Sequence, residues 1–491
     1  MIDKENRLKN KDKDIDGEFD RKRRKGYRLV YIEGIKNNLD YHMKILHYFL
    51  GVPPYRSGGL NQYAYDLAVA QQKKNNDVSI LYPGGINLLT ARVQVKKRQN
   101  PYVKLYELVN TLPVSLFYGI RDYTMIDDSL LNIDELKIFI DREKFDIIHI
   151  HTFMGLGYKM LDYFKNSLAK LIYTSHDYYG LCPKVNFIDY RGALCSERTS
   201  EKCSRCNIDA VSDCKLRLRN SPILCKFRSI IPNYTKQIIK KNILISDSTK
   251  ELTVENVLEY TRILECFDKM FKLIDCFHFN SKQTQRIYSQ YIDTKPSQVI
   301  PITHGQIKDL RRSRTFEGRL RIGYLGNLLQ HKGISDLLDV LTSLYHDDYD
   351  NWELVVGGVE KGFSSDLGFE INCLGKYKYG QLPEIFNSID VLVVPSICYE
   401  TFNFITLEAL SFGVPVIVSH TVGAKDLISQ ISPQFIYNDK EELRRLLIMI
   451  LKDSSILKEY NHMIICNDGI VFSIYEHADM MCKLYESVLK F

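Results

Sequence analysis

Short apolar runs without polar alternation recur along the chain at Lys44–Phe49, Val78–Leu81, Ile147–Ile150 and Leu171–Tyr173. Strands read this way when a sheet is covered on both faces, because neither set of side chains meets water. A second series follows at Leu320–Leu325, Trp352–Val356, Val391–Val394 and Val416–Val418. Between the runs lie helical stretches such as Gln62–Gln72 and Ile334–Leu344, and an amphipathic stretch, Ser473–Phe491, closes the chain. Two separate βα series predict an α/β protein of two Rossmann-like, doubly wound domains facing across a cleft. The expected division is residues 43–300, an Arg-rich linker over 301–318, residues 319–470, and a final helix over 471–491 that can return to the first domain.

Length agrees, since 491 residues exceed what one core sustains. Residues 1–42 stand apart: they carry Lys9–Asp14 and Arg21–Lys25 but scarcely any apolar periodicity. They are expected to be either a disordered charged tail or a leader ahead of a true start at Met43. No apolar run is long enough for a transmembrane helix, and no secretory pattern opens the chain, so a cytoplasmic location is expected. The net charge of +6 is too small for this length to imply a nucleic-acid partner.

The strongest chemical signal follows the run Val391–Val394. There Pro395-Ser396-Ile397-Cys398-Tyr399 leads to Glu400, a helix start is predicted over Thr401, Phe402, Asn403 and Phe404, and Glu408 lies two turns on. Free amides and the dipole at a helix start suit a diphosphate. Two carboxylates flanking it can each accept hydrogen bonds from sugar hydroxyls. Gly58-Gly59, after the first run, lets backbone approach a ligand. In Asp146-Ile147-Ile148-His149-Ile150-His151 the two histidines share a face, and His151 is expected to emerge into the cleft beyond the strand end. Ser175-His176-Asp177 presents His176 in the same way on the acceptor side.

Taken together, these segments resemble glycosyltransferase family 4, whose E-x7-E motif matches Glu400 and Glu408; the resemblance runs over almost all of residues 43–491. It implies a GT-B fold and a retaining transfer of a sugar from a UDP- or GDP-linked donor to a saccharide or lipid-linked acceptor, in surface polysaccharide or glycolipid assembly. Glu400 and His151 would then be catalytic. Gly58, Gly59, Asn327, Lys332, Thr401–Phe404 and Glu408 would hold the donor, and His176 the acceptor. Gly323-Tyr324-Leu325-Gly326-Asn327 is similar to the family's phosphate loop, but Asn327 stands where many relatives carry Arg. That departure keeps open a non-catalytic GT-B protein that assists another transferase. No catalytic metal is expected, and Asp348-Tyr349-Asp350 matches a metal motif in letters only.

Cys182, Cys195, Cys203 and Cys206 fall within a Cys-rich insert over 182–206. They fit a closed structural zinc site, unligated thiols or, less readily in a reducing cytosol, disulfides. Residues 215–241 mix basic and apolar positions, as does a face resting on the inner leaflet of a membrane, or simply a solvated helix.

Overall fold

The computed structural model describes residues 42–54, 56–87, 90–219, 251–360, 363 and 367–490. Residues 1–41 of the leader and most of the basic stretch over 215–241 therefore lie outside the described residues.

Two sheets form, as the two series of runs predict. The first comprises β1 (Lys44–Tyr48), β2 (Asp77–Pro83), β3 (Gln94–Arg98), β4 (Lys104–Val109), β5 (Ile147–Ile150), β6 (Lys170–Thr174), β7 (Cys276–Phe279) and β8 (Ser297–Val299). Their spatial order is β3-β4-β2-β1-β5-β6-β7-β8, parallel throughout except for the antiparallel edge strand β3. β3 is the polar Gln-Val-Lys-Lys-Arg, exposed at its end, and its charges keep the sheet edge in water. The second sheet, β9 (Leu320–Leu325), β10 (Trp352–Gly357), β11 (Ile371–Gly375), β12 (Val391–Val394), β13 (Val416–Ser419) and β14 (Ile436–Tyr437), runs β11-β10-β9-β12-β13-β14 and is wholly parallel. The fold is α/β with two doubly wound domains, the GT-B arrangement.

Each sheet reverses its direction of winding at one place. In the first, the chain moves outward from β1 through β2 and β4, then returns to lay β5 on the other side of β1. In the second, β9, β10 and β11 progress one way before β12 pairs with β9 on the opposite side. The loops leaving the two central strands diverge at such a point and leave a crevice at their carboxyl ends. The sequence-predicted site residues cluster at these two places: Gly58, Gly59 and His151 follow β1 and β5, while Lys332 and Glu400 follow β9 and β12.

The last helix, Ile474–Leu489, begins with a capping box on Ser473 and Glu476 and packs against the helix Gly59–Lys73 of the first sheet. Tyr63 meets His477 at 2.7 Å, Lys74 pairs with Asp479 at 2.7 Å, and Tyr485 reaches under the sheet to His149 at 2.6 Å.

Candidate active site

The C-terminal switch point is built by two turns locked together. After β9 the chain passes Asn327 and makes a short turn over Gln330–Lys332 into the helix Ile334–His346. Gly333, at φ 73°, caps that helix, and a Cβ there would lie 1.7 Å from the carbonyl oxygen of Pro395. Only glycine lets this turn press on the loop that leaves β12. The carbonyl of His331 accepts the amides of Ile397 at 2.9 Å and Cys398 at 3.3 Å. The turn and the loop are thus one unit, which carries Lys332 to Glu400 with Nζ 3.1 Å from Oε1.

Glu400 is held on every side. Its backbone pairs with Val422, accepting from Gly423 and donating to Thr421. Its carboxylate accepts from Ser396 and, at 2.8 Å, from the Asn403 amide. Burial drives the carboxyl pKa up, but Lys332 and these hydrogen bonds outweigh it, so the net shift is downward and Glu400 is ionised. Lys332 shows the mirror balance: burial lowers its pKa, Glu400 raises it more, and the ammonium is kept charged.

The helix that follows spans Phe404–Ser411, with Asn403 as its cap in a positive-φ conformation. The Asn403 carbonyl oxygen accepts the Thr406 amide at 3.0 Å while its amide nitrogen donates to Glu400. One side chain therefore caps the helix and orients the acid. The amides of Phe404 and Ile405 have no acceptor among the described residues. Thr401 and the buried Phe402 hold the loop down: Phe402 O accepts from Ala424, and Thr401 O accepts from Ser281 and Thr284 of the first domain at 2.9 and 3.0 Å. Glu408, on the same helix, meets His304 at 3.2 Å, with Tyr379 and Phe404 against the His304 ring. Tyr377 and Tyr379 face Glu408; burial first, then the Glu408 charge, pushes both phenol pKa values up.

The first domain meets this helix through Gly59. The helical stretch read at Gln62–Gln72 starts earlier, at Gly59, with Gly58 as its cap at φ 122°. A Cβ on Gly59 would lie 3.1 Å from the Phe404 ring, while Gly58 takes a positive φ that favours glycine. Two turns along, Asp66 accepts the Gly305 amide at 2.7 Å, beside His304. Gly58, Gly59, Phe404, Glu408 and Lys332–Glu400 are therefore gathered along one seam between the two switch points.

His176 reaches the seam as well: it is half-buried, its ring lies 4.8 Å from Tyr63, and its carbonyl accepts the Thr401 hydroxyl at 3.0 Å. His151 does not emerge as expected. It is fully buried between His47, at 3.0 Å, and His176, at 3.1 Å. The strand pattern correctly puts His149 and His151 on one face, but β1 brings His47 onto that face and the helices Gly59–Lys73 and Ile474–Leu489 cover it. Burial lowers the pKa of His47 to about 4 and holds those of His149 and His151 well below the usual range, so the cluster is neutral.

Asn327 is exposed, its side-chain oxygen taking the Leu329 amide at 3.2 Å, and it makes no contact with the Lys332–Glu400 pair. The four cysteines of the insert, all free thiols, line one cavity together with Lys184 and Arg198. No three of them bring sulfur atoms mutually within 4.8 Å. Asp348-Tyr349-Asp350 lies in the turn before β10, away from the seam.

His304, Tyr379, Ser281 and Thr284 are residues of the site that sequence reasoning missed. Only His304 carried a usable signal, since it follows a strand end as His151 does.

The two halves match known families in the order the fold presents them. Residues 57–205 match the family described as Glycosyltransferase Family 4, and residues 306–467 match Glycosyl transferases group 1. The chain belongs to these glycosyltransferases. Among relatives, this glycosyltransferase is 30% identical over 113 residues to an uncharacterised glycosyltransferase of Methanocaldococcus jannaschii, a match covering 21% of the chain and only 28% of that relative. Solved structures share its fold. Sucrose-phosphate synthase from Thermosynechococcus elongatus aligns over 91% of this chain and 100% of its own, at a TM-score of 0.55 and 15% identity. HepE from Anabaena, solved with UDP and glucose, aligns over 91% and 100% at 0.51 and 14%. WaaG, a glycosyltransferase of lipopolysaccharide biosynthesis, aligns over 89% and 99% at 0.51 and 13%.

Proposed function

We propose that this glycosyltransferase moves a sugar from a nucleoside diphosphate to an acceptor hydroxyl, retaining the anomeric configuration. The observation that carries the reading is the convergence of Lys332, Glu400 and the open amides of Phe404 and Ile405 at the C-terminal switch point, facing Gly59. A pyrophosphate arriving there draws Lys332 off Glu400 and takes the ammonium and the two amides as its donors. Lys332 then stabilises the charge that grows on the leaving phosphate. Glu400, freed of Lys332 but still gripped by Ser396 and Asn403, accepts from hydroxyls of the transferred sugar. Glu408 accepts from a ribose hydroxyl in exchange for His304. The acceptor enters past Gly58 and His176, and the departing phosphate takes its proton on the face it leaves, which is the route to retention. HepE, whose structure holds UDP and glucose, supports a nucleotide sugar as the donor class.

Incubating the full chain with a panel of UDP- and GDP-sugars tests the reading through release of the nucleotide. Slow release from one donor, accelerated by a saccharide acceptor, is expected. Tight nucleotide binding with no release from any donor would instead favour the second reading, a saccharide-binding partner of another transferase, which the uncharged and uninvolved Asn327 favours.

A role in surface polysaccharide or glycolipid assembly at the inner leaflet belongs to the same proposal, its basic stretch being largely outside the described residues. For the insert we propose a structural zinc held by Cys182, Cys195, Cys203 and Cys206. Its support is that all four thiols line one cavity, and four thiolates form a closed tetrahedral zinc site. Metal analysis giving close to one zinc per chain is the expected result; less than half an equivalent removes the site.

A further inference from the structure

Among the described residues, the only side chains placed as a metal-binding group are His47, His149 and His151. Their hydrogen bonds argue for a different role. His47 uses Nε2 on Gln71 Oε1 at 2.7 Å and Nδ1 on His151 Nε2 at 3.0 Å. His151 uses Nδ1 on His176 Nε2 at 3.1 Å. His149 uses Nδ1 on Tyr485 at 2.6 Å and Nε2 on the Thr174 hydroxyl at 2.6 Å. Every ring nitrogen of the three is occupied, so no lone pair is left for an ion.

A neutral imidazole has one N–H and one lone pair, so a chain of such rings has a direction fixed by whichever end cannot change. One chain ends on a carbonyl. His278 Nε2 lies 2.9 Å from Ile300 O and must donate, so its Nδ1 accepts from Thr174 at 2.8 Å. The single Thr174 proton is then spent, His149 Nε2 must donate to that oxygen, and Tyr485 donates to His149 Nδ1. The second chain ends on Gln71. Its amide lies beside Tyr485, whose pKa burial raises and the amide lowers by less, although Nε2 completes no hydrogen bond there. With the Tyr485 proton committed to His149, the side of Gln71 facing Tyr485 is its amide nitrogen, and the side facing His47 is the carbonyl. His47 Nε2 therefore donates to Gln71, His151 Nε2 donates to His47, and His176 Nε2 donates to His151.

We infer that Gln71 is a positioning residue which, through His47 and His151, holds His176 with a lone pair on Nδ1 to receive a ligand hydroxyl at the seam. His176 is half-buried beside Thr401, and its Nδ1 has no protein partner among the described residues. A lone pair there accepts from the hydroxyl of a saccharide and repels a phosphate or carboxylate, so the arrangement selects a neutral, hydroxyl-bearing acceptor. The part played in transfer rests on the reading proposed above; the direction of the chain does not.

Ring-nitrogen NMR of the full chain labelled with [15N]histidine tests this, with resonances assigned by single histidine substitutions. His47, His149, His151, His176 and His278 are all expected as Nε2–H tautomers. Gln71→Met, which removes the fixed acceptor, should turn His176 into a tautomer mixture, and Gln71→Glu should restore the single form. With the nucleotide sugar found to turn over, Gln71→Met should lower kcat about tenfold with little change in the donor KM, and Gln71→Glu should recover most of it. A His176 carrying its proton on Nδ1 in the native protein, or one unchanged by Gln71→Met, would overturn the inference. Should Gln71→Met fail to fold, the native spectrum still decides. The expected tautomers in a protein that turns over no nucleotide sugar would sink the transfer reading and leave the hydrogen-bond chain standing.

Discussion

The two switch points share a topology and differ in charge. At the first, β1 and β5 surround neutral histidines whose ring nitrogens are spent on one another, on Gln71, on Tyr485 and on Thr174. At the second, β9 and β12 bring an ammonium and a carboxylate into contact, both kept ionised by their partners. One crevice can only offer and accept neutral hydrogen bonds; the other can meet a doubly charged ligand by exchanging one ion pair for another. The same fold thus builds an uncharged cluster and a charged one along a single seam.

The largest expected effect breaks the charged side. Glu400→Gln keeps the shape and hydrogen bonds to Asn403 but removes the charge, and nucleotide release should fall about 10²- to 10³-fold in a chain that still folds. Unchanged turnover would take Glu400 out of the mechanism.

Acid should separate the two sides next. Burial holds His47 and His278 at about 4 in the folded chain against about 6.5 unfolded, so the unfolded state binds protons first as pH falls. Stability contributed by the neutral histidines is complete above pH 6.5 and is lost, by about a few kcal/mol, between there and pH 4. The lowered pKa of Glu400 gives a contribution that is present above about pH 4.3 and disappears only below it, as pH falls through the folded value. Chemical denaturation across pH 8 to 3 should therefore show two descending steps, the histidine step first; a single step near pH 4 would mean the histidine cluster is already charged.

The seam itself is tested by Gly59→Ala. Its new methyl meets Phe404 at 3.1 Å, so Phe404→Leu should stabilise the Gly59→Ala chain relative to its effect on the native chain, by about 1–2 kcal/mol in thermal unfolding. The smallest effect falls on the cap: Asn403→Ala should cost about 1 kcal/mol in the same measurement and also loosen Glu400.

How much of this was legible in the sequence depended on distance along the chain. Glu400, the helix start and Glu408 could be read together because one loop and one helix carry them all. The two sheets were legible for a similar reason, since buried parallel strands are unbroken apolar runs. Contacts made by topology were not. His304 reaches Glu408 from within the linker, Gly59 finds Phe404 across the two domains, and Ser281 and Thr284 grip Thr401 from a helix start more than a hundred residues away. His151 shows the limit most clearly. Period-two alternation tells which face a side chain takes, but not that His47 and the last helix will cover it.

The central claim is that Lys332 changes partner, from Glu400 to a nucleotide's phosphates. Calorimetric titration of UDP and GDP into the native chain and into Lys332→Met tests it directly. One of the two nucleotides should bind the native chain, and about 10- to 100-fold more weakly to the variant, the worth of one charge-assisted contact. Equal affinity for both chains would contradict the account, because the phosphates would then rest somewhere other than the second switch point.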